Sequence, residues 1–157
     1  MNMAIRLMLV LFSRGFFLAG FILTVLTGFS PVQAQAEPIQ ELNPERAKFN
    51  YQLSCQGCHA PDGAGGTGVP ALNGHIGHFL KSQAGREYLI RVPGSANALL
   101  SDEHLAEVLN WMILEFAQGS SPAQWQAYGA AEVGDYRADP LLEVLNYRQA
   151  LLEEIGL

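Results

Sequence analysis

Apolar residues recur at helical spacing through most of the chain. The clearest run follows Ser101, where Leu105, Val108, Leu109, Met112, Ile113 and Phe116 fall three or four positions apart and line one face of a helix. Ser101 is its predicted N-cap, His104 takes the third helical position, and Gly119 is the predicted stop. A second helix is predicted from Pro44 to about Ser54, with Asn43 as N-cap, Glu45 in the first turn, and Phe49, Tyr51 and Leu53 along its length. Shorter helices are predicted over His75 to Ala84 and Arg86 to Val92, the latter stopped by Pro93 and Gly94. Beyond Ser120 to Pro122, which read as loop, a helical piece is expected near Ala130 to Tyr136. A last helix is expected from Pro140 behind an Asp139 cap, with Leu141, Leu145, Leu152 and Ile155 on one face. Gln35 to Leu42 is a polar lead. Between Asp62 and Pro70, four glycines in nine residues exclude helix and strand alike. No segment alternates at the strand period for long enough to build a sheet, so the predicted class is all-α.

The first 34 residues read as an export signal. Arg6 and Arg14 precede an apolar run from Gly15 to Phe29, and Val32, Gln33 and Ala34 form a small-residue cleavage site, with a cut after Ala36 as the second choice. The run is shorter than the ~20 residues of a spanning helix. Met3 to Phe12 is a further apolar stretch broken only by Arg6, so retention as an amino-terminal anchor stays open. Export implies a periplasm or an equivalent oxidising compartment. The chain has nine basic residues, and removal of Arg6 and Arg14 leaves seven against 15 acidic ones, a balance of −8. Such a surface excludes nucleic acid as a partner and opposes an anionic lipid surface.

Its only two cysteines stand in the sequence Cys55-Gln56-Gly57-Cys58-His59. This C-x-x-C-H run is the attachment pattern of a c-type haem. Two thiols one helical turn apart can each add to a vinyl group of one porphyrin, and the adjacent imidazole can reach the iron. A structural zinc site needs more ligands than the chain offers. A thioredoxin-type pair needs a strand before it and an oxidoreductase domain around it, and neither is visible. A simple disulfide between Cys55 and Cys58 closes a short, strained loop.

The order of parts resembles the class I cytochrome c family, over about Pro44 to Phe116. Ala47 and Tyr51 stand eight and four residues before Cys55, where that family has a small residue and an aromatic, and Trp111 is the matching aromatic of the last core helix. The resemblance implies a cytochrome c-like helical fold around one covalent haem, held by Cys55 and Cys58 with His59 as the metal ligand. It also implies that the Pro70 carbonyl, in Gly68-Val69-Pro70-Ala71-Leu72, accepts from the His59 Nδ1 proton, leaving Nε2 for iron, and that Leu72 packs on the porphyrin. The expected organisation is a signal over residues 1–34, a cytochrome domain over 35–119, and a helical extension over 120–157.

The chain departs from the family at the sixth iron position. Members supply a methionine from a loop shortly before the last core helix, but here Val92 to Leu100 contains neither methionine nor histidine. The remaining candidates are Met112, read as pocket lining, His104, read as a solvated first-turn residue, His78, read with His75 as surface or supporting, or no protein ligand at all. Two functions follow. One is an electron-transfer protein, not itself an enzyme, serving a redox partner such as a dehydrogenase or an oxidase. The other is a haem protein with an open or exchangeable sixth site, acting as a ligand binder, a sensor or the cytochrome subunit of a periplasmic oxidoreductase. The first is preferred, because no acid–base constellation can be named. The extension carries Trp125, Tyr128, Tyr136 and Tyr147, which must cover either the core or a partner.

Overall fold

The computed structural model describes residues 41–157, which fall within the unit Pro38–Leu157. The predicted signal over residues 1–34 lies outside the described residues. What is described is helical, with a lone bridge between Gly66 and Val69 and no strand among the described residues. None of these helices is long and apolar enough to cross a membrane.

Helix α1 covers Pro44–Ser54. The Asn43 side chain accepts from the Arg46 N–H at 3.0 Å, and Pro44 occupies the first turn, where its missing N–H has no partner to lose. Ala47, Asn50 and Tyr51 are buried, whereas Phe49 and Leu53 face outward. After Cys55 the chain winds through one short turn, α2 (Gln56–His59). A 3-10 helix (Ile76–Lys81) and α3 (Gln83–Arg91) then replace the two helices expected over this region. Their boundary falls at Ser82, whose hydroxyl accepts from Gly85 N–H at 3.0 Å and so starts α3 earlier than the periodicity suggests. Pro93 and Gly94 do end α3, but they also open a further turn, α4 (Pro93–Ala96), because the fixed φ of proline suits a first helical position.

Helix α5 (Asp102–Phe116) begins as expected, with Ser101 Oγ accepting from His104 N–H at 3.3 Å. It is the spine of the core, packed against α1, the 3-10 helix and α6 (Ala130–Arg137). The last helix, α7 (Leu145–Glu154), starts five residues later than Pro140. Asp139 cannot cap it, because its carboxylate receives Arg91 Nη2 at 2.7 Å, and the Leu141 N–H is engaged by the Arg91 carbonyl at 2.9 Å. The delay turns the helix, so Leu145 is 74% exposed and Leu151, only 4% exposed, faces inward in its place.

Residues 120–157 share the core of the preceding residues. Tyr128, Val133, Leu141 and Leu151 lie in the same apolar cluster as Tyr51, Leu109 and Trp111. Three arginines seam the two parts together. Arg86 pairs with Glu132 and lies over the Tyr128 ring at 4.0 Å, Arg91 pairs with Asp139, and Arg137 pairs with Asp102 at 2.9 Å. Within the first part, Arg46 and Glu107 join α1 to α5 at 2.7 Å.

Candidate haem-attachment site

Cys55 terminates α1, its N–H held by the Tyr51 carbonyl at 2.8 Å, and the following turn is closed by the Cys58 and His59 N–H groups on the Cys55 carbonyl at 3.1 and 3.0 Å. Both thiols are free, so the pair forms no disulfide. Cys55 is half-buried and Cys58 exposed. Burial, reinforced by the neighbouring Cys58, pushes the Cys55 thiol up to about 11, so it is protonated near neutral pH.

The glycine-rich loop curls back under this turn. Gly65 N–H bonds the His59 carbonyl at 3.0 Å, and Gly66 and Val69 exchange two backbone bonds of 3.0 Å. Gly65 has φ of 77°, and a Cβ there would fall 2.5 Å from the Val69 oxygen and 2.8 Å from the Pro70 carbonyl carbon. Only glycine allows this closure. The result is a Pro70 carbonyl beside the His59 ring. Burial pulls the His59 pKa down and the Pro70 carbonyl partly opposes that fall. The Nδ1 atom is itself buried, and it makes no hydrogen bond of standard geometry in this structure. Leu72 is buried in the core cluster two residues further on, with its N–H on the Gly63 carbonyl at 2.8 Å.

Behind the motif stands an aromatic group. Tyr51 packs against Trp111 and Phe116 with ring centroids 5.3 Å away in each case, and Trp111 meets Phe116 edge-on at 5.5 Å. The pairing of Tyr51 with Trp111 across α1 and α5 is the contact that the resemblance to class I cytochromes c implies. Phe116 as the third ring is an addition, and so is the hydrogen bond from the Tyr51 hydroxyl to the Ala60 carbonyl at 2.5 Å. Burial, then the nearby Cys55 and Asp62, pushes the Tyr51 phenol up to about 12, so it donates at all ordinary pH values. The one available signal for this bond was the choice of tyrosine over phenylalanine.

The candidates for a sixth ligand lie in three different places. Met112 is buried in the core on α5. His104 lies in the first turn of α5, near the Glu103 and Glu107 carboxylates. His78 sits on the 3-10 helix with Nδ1 buried and unpartnered, its pKa lowered by burial and then by Lys81 and His75. From Ala96 to Leu100 the chain turns three carbonyls to the Arg137 guanidinium, those of Ala96, Ala98 and Leu100, at distances of 2.6 to 3.2 Å.

Among characterised proteins the chain is similar to cytochrome c-552 of Thermus thermophilus, with 33% identity over 118 residues that cover 62% of this chain and 90% of that protein. A second cytochrome c-552, from a named strain of Thermus thermophilus, matches at the same 33% over 118 residues, covering 62% of this chain and 80% of its own length. No family profile and no solved structure matches the chain. With the all-α fold and the C-x-x-C-H turn, this similarity shows that the chain belongs to the cytochrome c family.

Proposed function

We propose that this protein is an exported, monohaem c-type cytochrome of class I, working as an electron carrier and not as an enzyme. The observation that supports it most is the turn from Cys55 to His59, which holds two free thiols and a half-buried imidazole with a buried Nδ1 on one segment, with the Pro70 carbonyl beside the ring. This donor set fits haem c. Cys55 and Cys58 would each hold it by a thioether, formed when S–H adds across one vinyl group, and His59 would offer Nε2 to the iron while Nδ1 turns to Pro70. Once bound, haem supplies one-electron chemistry between ferrous and ferric iron. The chain's own part is to fix the imidazole, to exclude water with Leu72 and the surrounding core, and to present a charged surface to the partner.

That partner is read as a redox protein, a dehydrogenase or an oxidase, with a basic face. Of the seven basic residues after the signal, Arg46, Arg86, Arg91 and Arg137 are committed to internal ion pairs. The outward charge is therefore dominated by carboxylates, which steer a cationic partner. The compartment is read as the periplasm, or its membrane face if the amino-terminal segment is retained as an anchor.

Mass spectrometry of the mature protein tests the attachment: one haem addition that survives acidified solvent is expected, and full extraction of haem would overturn it. In His59→Ala the iron is expected to lose its imidazole spectrum even where the thioethers form; an unchanged spectrum would remove His59 as ligand. A second reading, an open or exchangeable sixth site serving a ligand binder, a sensor or an oxidoreductase subunit, is favoured by the segment over residues 92–100, which contains no methionine or histidine. Absorption spectra separate the two: six-coordinate low-spin iron supports the carrier, and five-coordinate high-spin iron supports the second reading.

A further inference from the structure

Ala60 directly follows His59 and has φ of 63° and ψ of 164°. This corner of the backbone map is essentially reserved for glycine, because a Cβ crowds the carbonyls on either side. A non-glycine residue persists there only when its surroundings over-determine it. Three hydrogen bonds do so. The Ala60 N–H is held by the Gln56 carbonyl at 2.9 Å, and the Ala60 carbonyl accepts from Gly63 N–H at 3.3 Å and from the Tyr51 hydroxyl at 2.5 Å. Among the described residues, the Tyr51 bond is the only one that a side chain makes to the stretch from Cys55 to Ala60.

The hydroxyl is not needed for packing. Tyr51 is 1% exposed, and its ring meets Trp111 and Phe116 as a phenylalanine ring would. A buried hydroxyl without a partner is unfavourable, so its presence here depends on the Ala60 carbonyl. The bond also crosses from a rigid helix to the peptide on the far side of His59. If that peptide relaxed to an ordinary conformation, the backbone at His59 would turn with it, and the imidazole would turn away from the Pro70 carbonyl.

We propose that Tyr51 is a positioning residue: its hydroxyl clamps Ala60 in a strained conformation and thereby fixes the plane of the His59 ring. This rests on the reading of His59 as the iron ligand, which the His59→Ala spectrum tests separately. The clamp is tested on the haem-loaded ferric protein by the paramagnetically shifted proton resonances of the haem methyls, which report the orientation of an axial imidazole, in Tyr51→Phe, Ala60→Gly and the double variant. Tyr51→Phe is expected to shift these resonances and split them into more than one set. Glycine at position 60 needs no clamp, so the double variant is expected to restore the parent pattern, and Ala60→Gly alone is expected to leave the pattern unchanged while raising Tm. A parent pattern in Tyr51→Phe overturns the proposal, and so does a double variant that stays as perturbed as Tyr51→Phe. If Tyr51→Phe fails to assemble with haem, recovery of assembly and of the parent pattern in the double variant supports the clamp, and its failure to recover overturns it. Loss of imidazole ligation in His59→Ala, together with a parent pattern in Tyr51→Phe, would retain the function and remove only the clamp.

Discussion

Gly63 shows how a single position can tie the attachment turn to the core. Its φ is 73°, and a Cβ there would lie 2.9 Å from Cδ1 of Phe116, the ring that completes the aromatic group behind the motif. Gly63→Ala is therefore expected to destabilise the protein by about 1–2 kcal/mol from the backbone alone, with a further loss as Phe116 is displaced. Thermal unfolding of the haem-loaded protein checks this, and an unchanged Tm would show that the loop finds another path. Ala47, Tyr51 and Trp111 were legible in the sequence through its resemblance to the class I cytochrome c family, which puts a small residue and an aromatic ahead of the motif and an aromatic on the last core helix. The Tyr51 bond to Ala60 was not, because its acceptor is a backbone carbonyl, and a carbonyl leaves no mark in the residue string.

Two helix starts, at Asn43 and Ser101, were read from local side-chain caps, whereas the equally local cap at Ser82 was missed. Asn43 and Ser101 both accept from the N–H three residues ahead, a short-range geometry that any chain segment can form by itself. Asp139 had the same local signal and a different outcome, because Arg91 on α3 takes its carboxylate. Between helices, the Glu107 carboxylate joins α5 to α1 by accepting from Arg46 and from the Asn43 N–H at 2.8 Å. Burial pushes this carboxyl up, but the Arg46 and Asn43 hydrogen bonds outweigh it and hold the pKa below the usual range. A carboxyl depressed in the folded state stabilises at pH values above its unfolded pKa, about 4.3, and that contribution is lost as pH falls through the folded value. The Tm advantage of the parent over Glu107→Gln is thus expected to be full at pH 7 and to disappear with acidification below about pH 4. An advantage that stayed constant down to acid pH would show that the charge is not the stabilising element.

Arg137 acts between elements in the same way, with a side chain 16% exposed and bonds to three carbonyls and to Asp102. Arg137→Ala would leave these acceptors without their donor, and a loss of about 2–4 kcal/mol is expected in denaturant unfolding. Arg137→Lys should recover only part of it, because an ammonium cannot span carbonyls set out for a planar guanidinium.

Across the entire molecule, the 120–157 extension is core and not appendage. Tyr128 is 1% exposed and Val133 fully buried, and Asn110 on α5 exchanges bonds of 3.0 and 2.7 Å with the Tyr128 backbone. Deletion of residues 120–157 is expected to unfold the protein or remove its ability to retain haem, rather than to abolish partner docking alone. A truncated protein with the parent spectrum and Tm would overturn this. Electron delivery to a basic partner is expected to slow as ionic strength rises, since most arginines are neutralised internally and the carboxylates are left to set the field. Stopped-flow rates against salt concentration measure it, and rates indifferent to salt would argue for an uncharged docking face.

The residue string by itself determined the all-α class, the main helices α1 and α5 and their caps, and the C-x-x-C-H turn, because each depends on contacts within a few residues or on covalent spacing. Tertiary structure alone decided the delayed start of α7, the inward turn of Leu151 in place of Leu145, and the arginine seams. It also set the strained Ala60 beneath the Tyr51 hydroxyl. The first three depend on partners brought from distant parts of the chain, which exist only once the helices have packed; the Tyr51 hydroxyl is only nine residues from Ala60, but its acceptor is a backbone carbonyl that the residue string does not mark.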